Sequence, residues 1–312
     1  MTRFYPVAAA VLAVALTAAG CGSSTEKQTT DARDAIKVSG AFGARPTITI
    51  DSPLEVSETS AWTATKGDGG DTVGAQSKAI LQLTLADGRT GKTAISTKDA
   101  GQKPLEVQLG DQVFPSLAQA LTGKSAGTRV VVASTSDDAY GDGGSPQIGI
   151  KGGDPVVIVA DVLSVDPTSL ADGPSGATTR APASAPTVVE KNGVPASLDF
   201  GRKKKPRKYA AYLLRAGTGK AIDDPDRVAV KYVGQVWGAR KPFEETYSGE
   251  PALVSVGLGN VIKAWDRALV GLKEGSRVMI VCPPATAYGA TAQGPIPANA
   301  TLVFVVDVLG VG

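Results

Sequence analysis

The stretch that decides the fold opens Val261-Ile262-Lys263-Ala264-Trp265-Asp266 and runs through Ala268-Leu269-Val270-Gly271-Leu272 to Gly275-Ser276. It continues Arg277-Val278-Met279-Ile280-Val281-Cys282-Pro283-Pro284, Ala287-Tyr288-Gly289 and Ile296-Pro297. It closes on Thr301-Leu302-Val303-Phe304-Val305-Val306-Asp307-Val308-Leu309. Val261, Ile262, Trp265, Leu269 and Leu272 recur at helical spacing, and Gly271 and Gly275 end that pattern. Val278 to Cys282 reads as a strand stopped by Pro283-Pro284. Leu302 to Leu309 is rich in β-branched residues and reads as a strand buried on both faces. Between the strands, Tyr288 to Asn299 is dense in Gly, Ala and Pro and reads as a long exposed loop.

The same order occurs about 150 residues upstream, and five pairs in one order argue for two copies of one fold. Gly43 to Ile50 parallels Gly193 to Phe200, and Val113-Phe114 parallels Val261-Ile262. Gly123 and Gly127 parallel Gly271 and Gly275. Ala139-Tyr140-Gly141 parallels Ala287-Tyr288-Gly289, and Val156 to Leu163 parallels Leu302 to Leu309. Strands are expected at Pro46–Ile50, Ala79–Leu85, Leu105–Leu109, Arg129–Ala133 and Val156–Val162, with a short helix at Phe114–Leu121.

The combination Val-Ile-x-x-Trp, Gly-x-x-x-Gly, Ala-Tyr-Gly and Ile-Pro-x-x-Ala-Thr-Leu-Val-Phe resembles the signature of FKBP-type peptidyl-prolyl cis-trans isomerases. The match runs from near Val228 to Gly312. The resemblance implies an α+β chain of two FKBP-like domains, each a curled antiparallel sheet wrapped over one short helix. It implies an isomerase that needs no cofactor and no metal. It assigns Trp265 to the floor of a proline pocket and Tyr232, Phe243, Val261, Ile262 and Phe304 to its walls. Tyr288 would donate its hydroxyl to a substrate carbonyl, the backbone N–H of Ile262 would be a second anchor, and Ile296 would close the rim. Three positions depart from the family's pattern: Glu244 stands where Asp is usual, Ala252 where an aromatic wall is usual, and Gln293-Gly294-Pro295 lies in a loop about one residue shorter than the family's. In the first half, about Gln82, Thr93 and Leu117 fall where the second has Tyr232, Phe243 and Trp265, and Ile158 matches Phe304. The first half is therefore expected to be inactive, serving as a spacer or binding unfolded chains.

The chemistry fits such a pocket. Amide resonance holds an X-Pro bond planar behind a barrier of about 18–20 kcal/mol. Catalysis requires only a site that favours the twisted amide. The twisted carbonyl is less polar, so a dry apolar cup suits it better than water does. Other readings stay open. A tryptophan at helical spacing also serves as core, both domains could bind proline segments without turnover, and isomerisation could accompany a holdase activity. Tyr140 alone reads as a loop residue, and Cys282 as a buried thiol.

The 312 residues suit two ordinary domains, and an apolar share of 42% is enough for packed cores. A net charge of +2 implies no strongly charged partner and no nucleic acid. The absence of histidine excludes His-based catalysis and most zinc sites, and two cysteines, Cys21 and Cys282, offer no disulfide framework. Residues 1–20 carry Arg3, an apolar run from Val7 to Leu16 and then small residues, which reads as a signal peptide. Leu16-Thr17-Ala18-Ala19-Gly20-Cys21 resembles a bacterial lipoprotein box. That resemblance implies a lipid on Cys21 and a place at the extracytoplasmic face of the cell membrane; a plain secretory signal is the alternative. Residues 21–45 read as a flexible tether, 46–165 as the degenerate FKBP-like domain, 166–187 as a Pro/Ser/Ala linker and 188–312 as the isomerase domain. The basic run Arg202 to Lys208 reads as a solvated loop, with anionic headgroups as the alternative. The expected partners are proline-containing polypeptides, engaged by a monomer.

Overall fold

A computed structural model describes residues 32–109 and 113–312; Cys21 and the signal-like segment lie outside them. The first domain opens with a hairpin of β1 (Ile36–Ser39) and β2 (Thr47–Ile50). Its main sheet is built from β3 (Ser60–Thr65), β4 (Lys78–Asp87), β5 (Thr93–Ser96), β6 (Leu105–Gln108), β7 (Arg129–Ser134) and β8 (Val156–Val165). They run antiparallel in the order β3-β7-β8-β4-β5, with β6 also on β4. Helix α1 (Pro115–Leu121) buries Leu117 and Leu121 against one face of this sheet.

The second domain begins with β9 (Ala177–Thr178) and the hairpin of β10 (Thr187–Lys191) and β11 (Val194–Asp199). β12 (Ala210–Ala216), β13 (Asp226–Val236), β14 (Glu244–Glu245), β15 (Ala252–Val256), helix α2 (Lys263–Leu269), β16 (Arg277–Cys282) and β17 (Leu302–Val311) follow. The sheet order is β9-β12-β16-β17-β13-β14, with β15 on β13. Strand for strand, this is the first domain's order with β9 added at one edge.

β8 and β17 are apolar along almost their whole length because each sheet is covered twice. The helix packs on one face, and the preceding hairpin packs on the other. Ile36, Ile48 and Ile50 meet Val131, Val157 and Val159, while Leu198 and Phe200 meet Met279, Val281 and Val303. A buried ion pair fastens each hairpin. Arg129 donates from Nε and Nη2 to the two oxygens of Asp161 at 2.5 and 2.8 Å, and two further hydrogens reach Gly40 O and Ala41 O. Arg277 does the same to Asp307 at 2.6 and 2.8 Å and reaches Glu190 Oε1 at 2.7 Å.

Several expectations change. The leash expected over residues 21–45 is, from residue 32 on, part of the fold: Ile36 is buried and β1 is paired. The linker expected over 166–187 is laid along the second domain. Ala171 N donates to Leu309 O, Ser175 N donates to Gly275 O, and Ala177–Thr178 extends the sheet as β9. Backbone hydrogen bonds hold it, and composition does not register those. Val261 and Ile262 precede the helix, with Ile262 extended at φ −61° and ψ 147°, so α2 is shorter than the apolar spacing implied.

The register also corrects the alignment of the halves. Leu83 N donates to Thr97 Oγ1, as Tyr232 N does to Thr246 Oγ1, so Leu83, not Gln82, answers Tyr232. Three residues before those threonines, Ala94 rather than Thr93 answers Phe243. A one-residue slip exchanges the faces of a strand. Gln82 indeed points the other way, donating from Nε2 to Ala44 O beneath the hairpin.

The two domains meet around Arg227. Its N–H donates to Ser164 Oγ at 2.8 Å, its Nε to Asp166 Oδ1 at 2.7 Å and its Nη1 to Ser255 Oγ at 2.7 Å. Ser255 Oγ donates in turn to Glu106 Oε2 at 2.5 Å, and Lys103 Nζ reaches Leu258 O at 2.8 Å.

Candidate active site

One open recess of about 700 Å³ lies between α2 and the sheet of the second domain. All nine residues singled out in the sequence line it: Tyr232, Phe243, Glu244, Val261, Ile262, Trp265, Tyr288, Ile296 and Phe304. The elements explain the convergence. α2 presents Trp265 toward the sheet, β13 and β17 contribute Tyr232 and Phe304, and the extended Val261-Ile262 forms a lip just before the helix. Tyr288 and Ile296 come from the loop between β16 and β17.

Three rings pack edge to face around Phe304. Its centroid lies 5.3 Å from Trp265, 5.8 Å from Phe243 and 6.2 Å from Tyr232, and Tyr232 stands 5.0 Å from Trp265 at 89°. Such contacts contribute about 0.5–1.5 kcal/mol each beyond burial, so the walls are stiff. Trp265 is 5% exposed yet forms part of the recess lining. Its Nε1 is buried and has no hydrogen-bond partner. It therefore offers the recess a ring surface under an open volume.

Close packing of these rings depends on a glycine. Gly234 sits directly across from Phe304 in the ladder. A Cβ there would come within 2.7 Å of Phe243 Cζ and 2.8 Å of Phe304 Cε1. In the first domain Leu85 holds this position, opposite Ile158. Smaller neighbours, Ala94 and Ile158, leave it room.

The recess has ring and aliphatic walls and a polar edge, where Asn260, Gln293 and the Tyr288 phenol lie with its one charged side chain, Glu244. Burial, reinforced by Glu244 nearby, pushes the Tyr232 hydroxyl well above the ordinary tyrosine range, and the same two causes raise Tyr288. Both phenols therefore remain protonated at neutral pH and able to donate. Tyr288 is 39% exposed, at the mouth. Cys282 is fully buried in β16, and burial drives its thiol pKa upward, away from reactive thiolate chemistry. Among the described residues no cluster of His, Cys, Asp or Glu could hold a metal ion.

The structure adds residues that motif reading passes over. These are Val254 and Asn260, which line the recess; Gln293 and Pro295, already noted in the shortened loop, complete its rim. Ala252 packs against the core cluster and is not part of the lining; Val254, two residues along the same strand, is. Asn260 Nδ2 donates to Glu106 Oε2 of the first domain at 2.9 Å. No periodicity marks Asn260 or Gly234 in advance. Tyr140, read as a loop residue, lines an equivalent cavity in the first domain.

The sequence is similar to known proteins. The family described as FKBP-type peptidyl-prolyl cis-trans isomerase matches residues 65–162 and 219–309. FK506-binding protein 4 of Chaetomium thermophilum is 40% identical over 95 residues, covering 30% of this chain and 20% of that protein. The FKBP-type peptidyl-prolyl cis-trans isomerase FkpA of Escherichia coli is 40% identical over 100 residues, covering 32% of this chain and 36% of that one. The crystal structure of the latter superposes with a TM-score of 0.31 at 36% identity, covering 33% of this chain and 47% of that chain. The chain thus spans a fifth to under a half of the length of these curated relatives. Two family matches, one in each sheet, lead to one statement: the chain belongs to the FKBP-type peptidyl-prolyl cis-trans isomerase family and carries the family's domain twice.

Proposed function

We propose that the second domain catalyses cis-trans isomerisation of X-Pro bonds in polypeptides. The observation that carries this reading is the open recess over Trp265, walled by Tyr232, Phe243 and Phe304. A proline ring seated on the indole would place its imide among side chains that cannot solvate a polar planar amide. The twisted imide, with conjugation broken and its carbonyl less polar, loses less by leaving water. The recess therefore binds it more tightly than either planar form and lowers the barrier. The protonated Tyr288 hydroxyl at the mouth supplies a donor for a substrate carbonyl, and the lip at Ile262 fixes the chain's path. No nucleophile is called for.

The substrates in this reading are proline-containing segments of exported or unfolded polypeptides. A lipid on Cys21 would hold the protein, as a monomer, at the extracytoplasmic face of a membrane. The run Leu16 to Cys21 supports that placement, and metabolic labelling with a fatty acid, lost in Cys21→Ser, tests it. The activity is tested by the isomerisation rate of a short proline peptide with the full chain. Trp265→Ala should remove most of the rate and Tyr288→Phe part of it. A wild-type rate equal to the uncatalysed one, with the peptide still bound, would leave only a proline-binding module.

A further inference from the structure

The first domain keeps a cavity where the second keeps its recess. It measures about 550 Å³ and lies between β4, β6, α1 and the Tyr140 loop. That volume falls within the span typical of ligand sites. Its lining differs in two ways.

First, the rings are replaced by aliphatic side chains. Leu83 stands for Tyr232 and Leu117 for Trp265, so the flat floor is gone. Second, the charge is gone. Ile95 pairs with Leu85 in the ladder as Glu244 pairs with Gly234, so an isoleucine occupies the position of the rim carboxylate. Two aromatic residues remain, Phe114 and Tyr140, edge to face at 5.1 Å and 82°. Burial raises the Tyr140 hydroxyl, which stays a protonated donor at the mouth. Leu105, on the other rim, is 46% exposed. A surface leucine on the edge of an apolar cavity extends that cavity outward.

The two hollows are neighbours. Gln102 and Leu105 line the first, and Asn260 lines the second. Glu106, the residue after Leu105, accepts from Asn260, and Lys103 reaches Leu258. Within one short segment, Gln102 and Leu105 thus face the first hollow, while Lys103 and Glu106 reach the second domain beside the other. A chain leaving one hollow meets the edge of the other within a few residues.

We propose that the first-domain cavity is a second polypeptide-binding site, which takes an uncharged aliphatic segment of the same chain whose proline is held over Trp265. The aliphatic, chargeless lining selects against acidic and basic segments. The Tyr140 hydroxyl offers one hydrogen bond to the backbone of the guest. Loss of the ring-walled floor makes the site a holder without turnover. The shared-chain part rests on the proline reading of the second domain; the site itself does not.

The test uses the full chain and calorimetry, which does not depend on turnover. The probes are a capped proline tetrapeptide, a capped Leu-Ala-Leu-Val peptide, and the two joined by a few glycines. The joined peptide should bind at least tenfold more tightly than the proline peptide. Leu105→Asp, a change at an exposed position, should abolish that gain while leaving binding and isomerisation of the short proline peptide unchanged. NMR should show the leucine peptide shifting Phe114 and Tyr140 signals and sparing the Trp265 indole. A joined peptide no tighter than its proline half, a gain that survives Leu105→Asp, or shifts confined to Trp265 would each overturn the proposal. A protein without isomerase activity that still shows the leucine-peptide shifts would refute the enzymatic reading alone.

Discussion

Asn260 donates from Nδ2 to Glu106 Oε2 at 2.9 Å, so a carboxylate of one domain holds a side chain that lines the recess of the other. Glu106 also accepts from Ser255 and Lys78 and lies 3.5 Å from Arg227 Nη1. The first domain therefore braces the rim of its neighbour's site. Glu106→Ala removes several charge-assisted bonds and leaves Asp166 as the one carboxylate on Arg227. Denaturant unfolding should show a loss of about 1–3 kcal/mol. Isomerisation of a short proline peptide should fall several-fold as Asn260 loses its anchor. Glu106→Gln keeps an acceptor for Ser255 and Asn260 and should retain most of the rate. Equal rates in wild type and Glu106→Ala would show that the brace does not reach the recess.

The same junction should make stability depend on pH through a second carboxyl. Asp226, at the start of β13, is 4% exposed, and burial pushes it up to about 6 despite help from the Asp223 N–H, Lys220 and Ser164. Its unfolded value lies near 3.9. Between those values the folded chain holds a proton that the unfolded chain releases, so stability falls as pH rises from about 4 to 6. Across that window the loss amounts to about 3 kcal/mol. Glu106 acts in the opposite sense. Burial disfavours its charge, but Ser255, Lys78 and Arg227 hold it down at about 2, so its contribution fades only as pH drops from about 4.5 toward 2. Asp226→Asn keeps the acceptor for Asp223 N and should flatten the fall between pH 4 and 6 in urea titrations. An unchanged slope in that variant would assign the pH dependence elsewhere.

Gly234 should matter to rate more than its lack of a side chain suggests. Alanine there drives a methyl group against the ends of Phe243 and Phe304, at 2.7 and 2.8 Å. Neither ring has slack, because Phe304 packs edge to face on three neighbours. Overpacking of this kind costs about 1–3 kcal/mol. Displacing two pocket walls should lower the isomerisation rate roughly ten- to a hundred-fold. The matched change in the first domain, Leu85→Ala, makes a void instead and should leave the rate alone. Measuring both variants separates a pocket effect from a general loss of stability.

What is legible in the sequence follows from where the information sits. The nine residues around the recess are large side chains in a compact motif, and each can be placed singly. The first half aligns one residue out at Leu83 because β4 is buried along nearly its whole length. A strand covered on one face by a helix and on the other by a hairpin shows no in-and-out alternation to fix its phase. The 36–45 and 166–187 segments look like free chain by composition. Their order comes from backbone bonds and from Arg129, contacts that any small polar residues would permit. Gly234 and Asn260 are silent because one acts by lacking atoms and the other through a residue 154 positions away.

The repeated ion pairs should differ in how much each supports. Arg129 has one carboxylate, Asp161, which also accepts from Gly43 N at 2.8 Å. Two more of its hydrogens go to the carbonyls of Gly40 and Ala41. Asp161→Asn therefore strands a buried guanidinium, and breaking such a pair from one side costs about 3–5 kcal/mol. Arg277 has a second carboxylate, Glu190, at 2.7 Å and half exposed on the hairpin. Asp307→Asn leaves that partner in place, so its loss should be smaller. The asymmetry is readable in the full chain by hydrogen exchange. Asp161→Asn should expose β1 and β2 amides together, because the carboxylate joins the sheet to the Gly40–Gly43 turn between them. Asp307→Asn should leave β10 and β11 largely protected. Equal losses for the two variants would mean that Glu190 contributes nothing to Arg277 and that hydrophobic contact alone holds both hairpins.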